Sequence, residues 1–157
     1  PADFAALEGA AFSVPRIPTA PCRYTLVDPL CAHSGPALDE LRPAIEAGRL
    51  HVALVPVPVL DPKGEGPSTR AAAALAAAPR DRVAEVWAAL LDVVRARRPL
   101  PEPAPSAAAL VARNKEAARA FGITGSPTFL WAGAEGRPAG VQGRGKAAAI
   151  LAGAARP

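Results

Sequence analysis

A strand pattern, a helix pattern and a second strand pattern follow one another early in the chain, and this succession constrains the fold most. Residues 23–27 are β-branched and aromatic and stop at Asp28 and Pro29, which predicts a buried strand. Residues 34–47 carry apolar side chains at helical spacing, which predicts a helix. Residues 50–59 are rich in valine and alternate in hydropathy, which predicts a second strand whose late prolines favour a sheet edge. We therefore expect an α/β fold.

Helical patterns dominate the middle of the chain. Residues 68–97 predict two helices broken near Pro79, and residues 106–121 predict another helix that Gly122 ends. Between them, the proline-rich residues 99–105 indicate a stiff connecting loop. The remaining predicted elements are two strands and a closing helix, at 128–131, 139–142 and 146–154.

Length and composition fit a single globular domain. The chain has 157 residues, of which half are hydrophobic, and it carries 18 basic and 14 acidic side chains. Residues 1–21 mix a short helical pattern at 3–11 with several prolines, so we expect a lead-in or linker there and one domain over 22–157. A domain of this size buries a sufficient core without metals or disulfides, which leaves both cysteines available for chemistry.

Charge and hydropathy argue against two classes of partner. The basic residues are scattered and only 4% of residues are aromatic, so the net charge of +4 does not indicate a nucleic-acid surface. No apolar stretch reaches the roughly 20 residues that a membrane-spanning helix needs. We expect neither nucleic-acid binding nor membrane insertion.

Cys31 follows the first predicted strand and directly precedes the first predicted helix. Unpaired backbone N–H groups and the positive end of the helix dipole favour a thiolate there, and the thiolate is the form that attacks sulfur. His33 either supplies a positive charge or hydrogen bond to this thiol or is an exposed polar residue of the first turn. Because a lone cysteine is commonly a small buried apolar residue, a second feature is needed to indicate function.

That second feature precedes the predicted strand at 128–131. The run from Gly122 to Thr128 (Gly-Ile-Thr-Gly-Ser-Pro-Thr) resembles the cis-proline loop of thioredoxins, in which the proline faces the active-site cysteine. Upstream, Val27 to Cys31 (Val-Asp-Pro-Leu-Cys) and residues 41–50 resemble the catalytic domain of the periplasmic disulfide isomerases DsbC and DsbG, DsbG more closely. Residues 135–137, 141–143 and the closing helix are similar to the terminal ββα unit of that fold. The resemblance runs from residue 23 to residue 154.

The resemblance implies a thioredoxin-like fold, with a central mixed sheet flanked by helices and a helical insertion near 68–120. It implies thiol-disulfide exchange, reduction or isomerisation of client proteins that contain cysteines, with Cys31, His33 and Ser34 as catalytic residues. It implies no cofactor, leaves room for a membrane-bound reducing partner, and places the protein in the periplasm after removal of a signal peptide. Those isomerases dimerise through a separate N-terminal domain, of which residues 1–21 retain only a linker, so we expect a monomer.

Elementary chemistry agrees with a substrate-binding role for Ser126, Pro127 and Thr128. An X-Pro bond has a cis penalty of only about 0.5–1 kcal/mol, so the Ser126–Pro127 bond is expected to be cis. Because proline lacks an N–H, we expect the backbone groups beside it to stay free. An extended client peptide can then add as a short strand and hold its cysteine beside Cys31. The alternative is a simple turn without functional consequence.

The chain departs from the isomerases at their second cysteine, because it reads Cys31-Ala32-His33-Ser34. Ser34 cannot close a disulfide, but it can cap the helix or hydrogen-bond the Cys31 thiolate. Cys22 cannot replace the missing thiol, since a strand over 23–27 separates the two cysteines by roughly 20 Å, beyond the ~7 Å limit for bridging. Three interpretations stay open: an exchange protein with one thiol, a redox-inactive binding module, or an engineered replacement of a cysteine at position 34.

A metal site is the remaining alternative, because thioredoxin-like domains also occur in copper handling. Cys31 and His33 are both good ligands, and His51 is the only further histidine. A structural zinc site wants four ligands and a catalytic one three. We therefore expect no metal. A serine hydrolase is weaker still, since Ser34 lacks the strand-turn setting of such nucleophiles.

Overall fold

The computed structural model describes residues 12–13, 21–61, 63 and 66–152. The described strands are β1 (Phe12–Ser13), β2 (Cys22–Val27), β3 (His51–Pro56), β4 (Thr128–Ala132) and β5 (Pro138–Gln142). The described helices are α1 (Ser34–Glu46), α2 (Pro67–Ala76), α3 (Val83–Arg95), α4 (Pro105–Ala120) and α5 (Ala147–Ala152). Short 3₁₀ turns occupy Arg80–Arg82 and Ala134–Gly136.

The strands form one mixed sheet in the order β1-β3-β2-β4-β5. Strand β2 runs parallel to β3 and antiparallel to β4, while β5 and β1 pair antiparallel with β4 and β3. The register pairs Val27 with Pro56, and Leu26 with Thr128. The ends of β2 and β3 and the start of β4 therefore meet at one edge of the sheet, where the loop that carries Cys31 begins.

Strand β2 is covered on both faces, as expected for a strand at the centre of a sheet with helices on both sides. Val27 belongs to a core cluster with Leu41 of α1 and Phe129 of β4. The preceding residue, Leu26, points to the other face and packs in a cluster with Leu130 and Ala117 of α4. This two-sided burial fixes where β2 ends, and with it the position of the loop that follows.

The predicted helices are confirmed, with shifts of one or two residues at their described ends. The 34–47 helix ends at Glu46, the 68–97 region holds two helices separated near Pro79, and the 106–121 helix occupies Pro105–Ala120. Helices α2 and α4 pack together through alanines and Leu110, since small side chains allow a close approach. The predicted helix at 3–11 and the end of the predicted 146–154 helix lie outside the described residues.

The predicted strand at 50–59 is shorter than expected, because it ends at Pro56. Proline has no N–H to donate to the ladder, and both Pro56 and Pro58 fall in this stretch. The Val57 N–H still donates to the Val27 carbonyl at 2.9 Å, and the chain then turns, with the Asp61 N–H bound to the Pro58 carbonyl at 3.2 Å. Residues 57–61 thus form a loop beside the end of β2, and β3 lies inside the sheet between β1 and β2.

Within the described ranges, no helix is both long enough and apolar enough to cross a membrane.

Candidate functional site

Asp28 organises the loop that leaves β2. Its side chain is fully buried, and its two carboxylate oxygens accept hydrogen bonds from the Leu30 N–H at 2.9 Å and the Leu60 N–H at 3.0 Å. The first bond closes a tight turn within the loop, because Asp accepts readily from the backbone two residues on. The second ties the turn to the 57–61 loop, so two loops at the sheet edge are held by one carboxylate.

Burial raises the pKa of the Asp28 carboxyl above its ordinary value, since a charged carboxylate is poorly solvated there. The two backbone hydrogen bonds and one from the Ser68 hydroxyl lower the pKa and oppose this effect, while repulsion from Asp61 adds to it. Desolvation is the largest of these effects, so the upward direction prevails. The loop that carries Cys31 is therefore held by hydrogen bonds to a carboxyl group whose ionised form is disfavoured by burial.

Cys31 lies three residues before α1, and its side chain is half-buried. Its N–H donates to the Asp28 carbonyl at 2.9 Å, and its own carbonyl accepts from the Ser34 N–H at 3.1 Å. The Cys31 Sγ–H donates to the Ser126 carbonyl at 3.2 Å. The thiol thus lies directly against the loop that the sequence predicts as its partner.

Ser126 joins three segments at the site. The Ser126–Pro127 peptide bond is cis. The Ser126 Oγ accepts from the Asp28 N–H at 2.8 Å and lies 2.8 Å from the Ser34 Oγ, with which it shares a hydrogen bond. One residue therefore contacts the loop after β2 through its hydroxyl and its carbonyl, and the start of α1 through its hydroxyl.

The expectation that the backbone beside Pro127 stays free is wrong for two carbonyls. The Ser126 carbonyl accepts the Cys31 thiol, and the Pro127 carbonyl accepts the Gly143 N–H at 2.8 Å. The reason is that β5 ends beside this loop and supplies Gly143 as a donor. A peptide N–H can still donate to the Ser126 carbonyl, because a carbonyl oxygen has two lone pairs and the thiol uses one of them.

Thr128 and Pro127 are buried, whereas Ser126 is half-buried. The Thr128 Oγ1 donates to the Gly125 carbonyl at 2.8 Å, which closes the turn over the cis bond. Of the three predicted substrate-binding residues, Ser126 is therefore the most accessible, and Thr128 shapes the loop from inside.

Ser34 does not make the contacts that its sequence position suggests. It is fully buried as the first residue of α1, and its Oγ bonds the Ser126 Oγ. Neither expected role, a helix cap nor a partner of the Cys31 sulfur, is the contact that this hydroxyl makes. A serine hydroxyl reaches only nearby partners, and the Ser126 hydroxyl, at 2.8 Å, is the partner that the Ser34 hydroxyl bonds.

His33 is exposed at the N-cap of α1, and its side chain makes no capping hydrogen bond. Of the two interpretations open from the sequence, this position fits an exposed polar residue at the helix entrance.

Cys22 is the first residue of β2, so the length of that strand separates it from the site. Both cysteines lie within the described residues, and no disulfide joins them. The part of the chain that the structure describes also holds no group of three or more His, Cys, Asp or Glu side chains arranged to hold a metal ion.

Two residues that build the site are absent from the sequence prediction of it. Asp28 is read as a strand stop, although its position two residues before Leu30 is typical of an Asp turn and could have indicated its anchoring role. Leu60 is 59% exposed, and its N–H binds Asp28 across 32 residues of sequence. No local signal reports a contact at that separation.

Comparison with known proteins bears on the fold. No family model matches the chain, and no curated protein is significantly similar to it in sequence. Solved structures do match. A periplasmic thioredoxin-like protein from Salmonella enterica serovar Typhimurium superposes with a TM-score of 0.58 at 14% identity, covering 95% of this chain and 91% of that chain.

Two structures of ScsC from Proteus mirabilis match as well. Its catalytic domain gives a TM-score of 0.55 at 15% identity and covers 93% of each chain. A linker-deletion variant gives 0.54 at 16% identity, over 94% of this chain and 74% of that one. The predicted fold class is therefore confirmed: the chain has a thioredoxin-like fold, a mixed sheet flanked by helices.

Proposed function

We propose that this protein exchanges disulfides with client proteins through Cys31 alone. The observation that carries the proposal is the 3.2 Å contact between the Cys31 Sγ and the Ser126 carbonyl, at the only cis peptide bond among the described residues. A half-buried thiol in that position faces the loop from which a bound peptide would present its own sulfur. The fold of the periplasmic thioredoxin-like protein and of ScsC supports this general chemistry and a periplasmic location.

The first step conserves atoms and electrons. The Cys31 thiolate attacks one sulfur of a client disulfide, a new S–S bond joins Cys31 to the client, and the other client sulfur leaves as a thiolate and takes up a proton. The Cys31 proton is lost to solvent before attack. No net oxidation occurs, because one disulfide replaces another.

The second step needs a thiol from outside the site. In the isomerases that the chain resembles, a second cysteine attacks the mixed disulfide, whereas Ser34 here is buried and bound to Ser126. A second cysteine of the client attacks the client sulfur of the mixed disulfide, which releases the client in rearranged form and Cys31 as a thiolate. Alternatively, a reducing dithiol attacks the Cys31 sulfur and releases the client as a thiol, and its second sulfur then frees Cys31 and closes the disulfide of the reductant. We therefore propose that the mixed disulfide is long-lived and that the client or a reductant ends it.

The test is adduct formation measured by intact mass. The protein is incubated with a short peptide whose cysteine carries a mixed disulfide with glutathione, and one adduct per chain is expected, of the peptide or of glutathione according to which sulfur Cys31 attacks. The adduct should form with Cys22→Ser and be absent with Cys31→Ala. Equal labelling of Cys31→Ala and the wild type would overturn the proposal, because Cys22 would then be the reacting thiol.

A redox-inactive binding module gives a different outcome in the same experiment. Such a protein would bind a reduced peptide equally well with and without Cys31, and would form no adduct. Adduct formation by the wild type separates the two functions, because binding of a reduced peptide by Cys31→Ala is compatible with both.

A further inference from the structure

A cavity in the described part of the chain lies beside the segment that leads to the cis bond, and the exchange chemistry itself does not use it. It has a volume of about 480 Å³ and lies between the loop after β3, the end of α4 and the chain that leads into the cis bond. This volume is within the range of pockets that hold small ligands or several side chains. Its walls are residues 57–59, 115, 116, 118, 119 and 122–124.

Two segments that line this cavity are connected through the chain to residues of the thiol site. Thr124 lies two residues before Ser126, whose carbonyl contacts the Cys31 sulfur at 3.2 Å. At no more than roughly 3.3 Å per residue, the backbone of Thr124 lies within about 10 Å of that sulfur. On the opposite wall, Val59 precedes Leu60, which Asp28 holds by its N–H. A client residue two or three positions from the bonded cysteine can therefore reach the cavity.

The floor of the cavity is apolar. Val57 and Ala118 belong to a buried cluster against which Val59 and Ile123 are partly buried. Leu60 follows the lining residue Val59 in the chain and is 59% exposed, which is unusual for a large apolar side chain in the described part of this chain. An apolar side chain of the client would bury surface against this floor and against Leu60.

The charge beside this floor is positive. The Glu116 carboxylate is bound by Arg119 at 2.6 Å, so these two side chains neutralise each other. Lys115 is half-buried on the same wall and forms no ion pair with any described residue. Lys115 is therefore the charged lining residue that no described carboxylate neutralises.

We propose that this cavity binds the client segment beside its cysteine and selects segments that carry an apolar and an acidic side chain. The proposal rests on the exchange function at Cys31. The occupant is an extended stretch of client polypeptide, held by the apolar floor and by an ion pair with Lys115. Lys115 is a specificity residue and takes no part in sulfur transfer.

The experiment compares rates of one reaction across peptides. Each short peptide carries a cysteine in a mixed disulfide with thionitrobenzoate, a coloured leaving group, followed two and three residues later by Leu-Glu, Leu-Lys or Ser-Ser. Release of the coloured thiolate reports attack by Cys31, and the rate with Cys31→Ala is subtracted. The Leu-Glu peptide should react about two- to fivefold faster than the Leu-Lys peptide, as expected for one partly exposed ion pair.

Charge reversal tests the role of Lys115. Lys115→Glu should reverse the preference between the Glu and Lys peptides, whereas Arg113→Glu should keep the wild-type order. Arg113 is exposed on the same helix and does not line the cavity, so it makes the same charge change elsewhere. Leu60→Ser should slow both Leu peptides toward the rate of the Ser-Ser peptide without affecting folding, since Leu60 is mostly exposed.

The outcomes distinguish the selective cavity from the exchange function at Cys31 on which it rests. Equal rates for all peptides, or the same reversal in Arg113→Glu as in Lys115→Glu, would overturn the selective cavity and leave the exchange function intact. Absence of release from any peptide by the wild type would overturn the exchange function itself.

Discussion

Replacing Ser126 with alanine should destabilise the protein more than a half-buried serine ordinarily would. The Ser126 hydroxyl satisfies two groups on buried residues, the Asp28 N–H and the Ser34 hydroxyl, each at 2.8 Å. A buried polar group left without a partner costs about 1–3 kcal/mol. Two such groups give an expected loss of about 2–6 kcal/mol in the free energy of unfolding.

Ser34→Ala should cost less, because it removes one shared hydrogen bond and leaves Ser126 bound to the Asp28 N–H. The expected loss is about 0.5–1.5 kcal/mol. The double variant should lose about 1 kcal/mol less than the sum of the single variants, since removing the Ser34 hydroxyl removes a group that Ser126→Ala would leave unsatisfied.

Urea unfolding under reducing conditions measures all three variants, and Ser106→Ala is the matched control. Ser106 is exposed near the start of α4, so its loss should change stability by less than about 0.5 kcal/mol. The reasoning is refuted if Ser126→Ala matches Ser106→Ala, or if the two site substitutions are additive within about 0.3–0.5 kcal/mol.

Two further predictions concern pH and close packing. Since burial raises the Asp28 pKa, the folded state binds that proton more tightly than the unfolded chain, and its contribution to stability is lost as pH rises from about 3.9 through the raised pKa. Urea unfolding between pH 3.5 and 7 should show wild-type stability falling relative to Asp28→Asn, and a relative rise would contradict this sign. Gly140→Ala should lower the melting temperature more than Gly125→Ala, because the added Cβ meets the Phe129 backbone carbonyl at 2.5 Å in the first case and the flexible Gln142 side chain in the second. Thermal unfolding of both variants compares them, and a larger loss for Gly125→Ala would show that the Gln142 side chain cannot move aside.

Much of the fold could be predicted from local patterns. The strand at 23–27 and the helices around residues 34–120 follow from residue types and spacing. The helix stop at Gly122 follows from the residue type, because glycine readily adopts the positive φ of 71° found there. The end of β3 differs from the prediction, because Pro56 and Pro58 outweigh the valines of an otherwise strand-like run. A missing N–H ends a ladder whatever the neighbouring side chains favour.

The sequence predicts the residues of the site better than the hydrogen bonds between them. Cys31 and Ser126 lie together as the sequence indicates, but the hydroxyl pairing of Ser34 with Ser126 spans 92 residues. The choice among acceptors for a short side chain depends on distances of a few tenths of an ångström, which only the packed structure fixes. The same holds for the Pro127 carbonyl, which Gly143 occupies because β5 ends beside it.

The lifetime of the mixed disulfide tests the central claim most directly. A peptide adduct on Cys31 is prepared, excess peptide is removed, and release of peptide is followed by mass in the wild type and in Ser34→Cys, without added thiol. If Cys31 is the single reacting thiol, the wild-type adduct persists until a small thiol is added. Ser34→Cys should instead release the peptide and close a disulfide between positions 31 and 34. Rapid release from the wild type without added thiol would contradict the account, because a group other than an external thiol would then be resolving the disulfide.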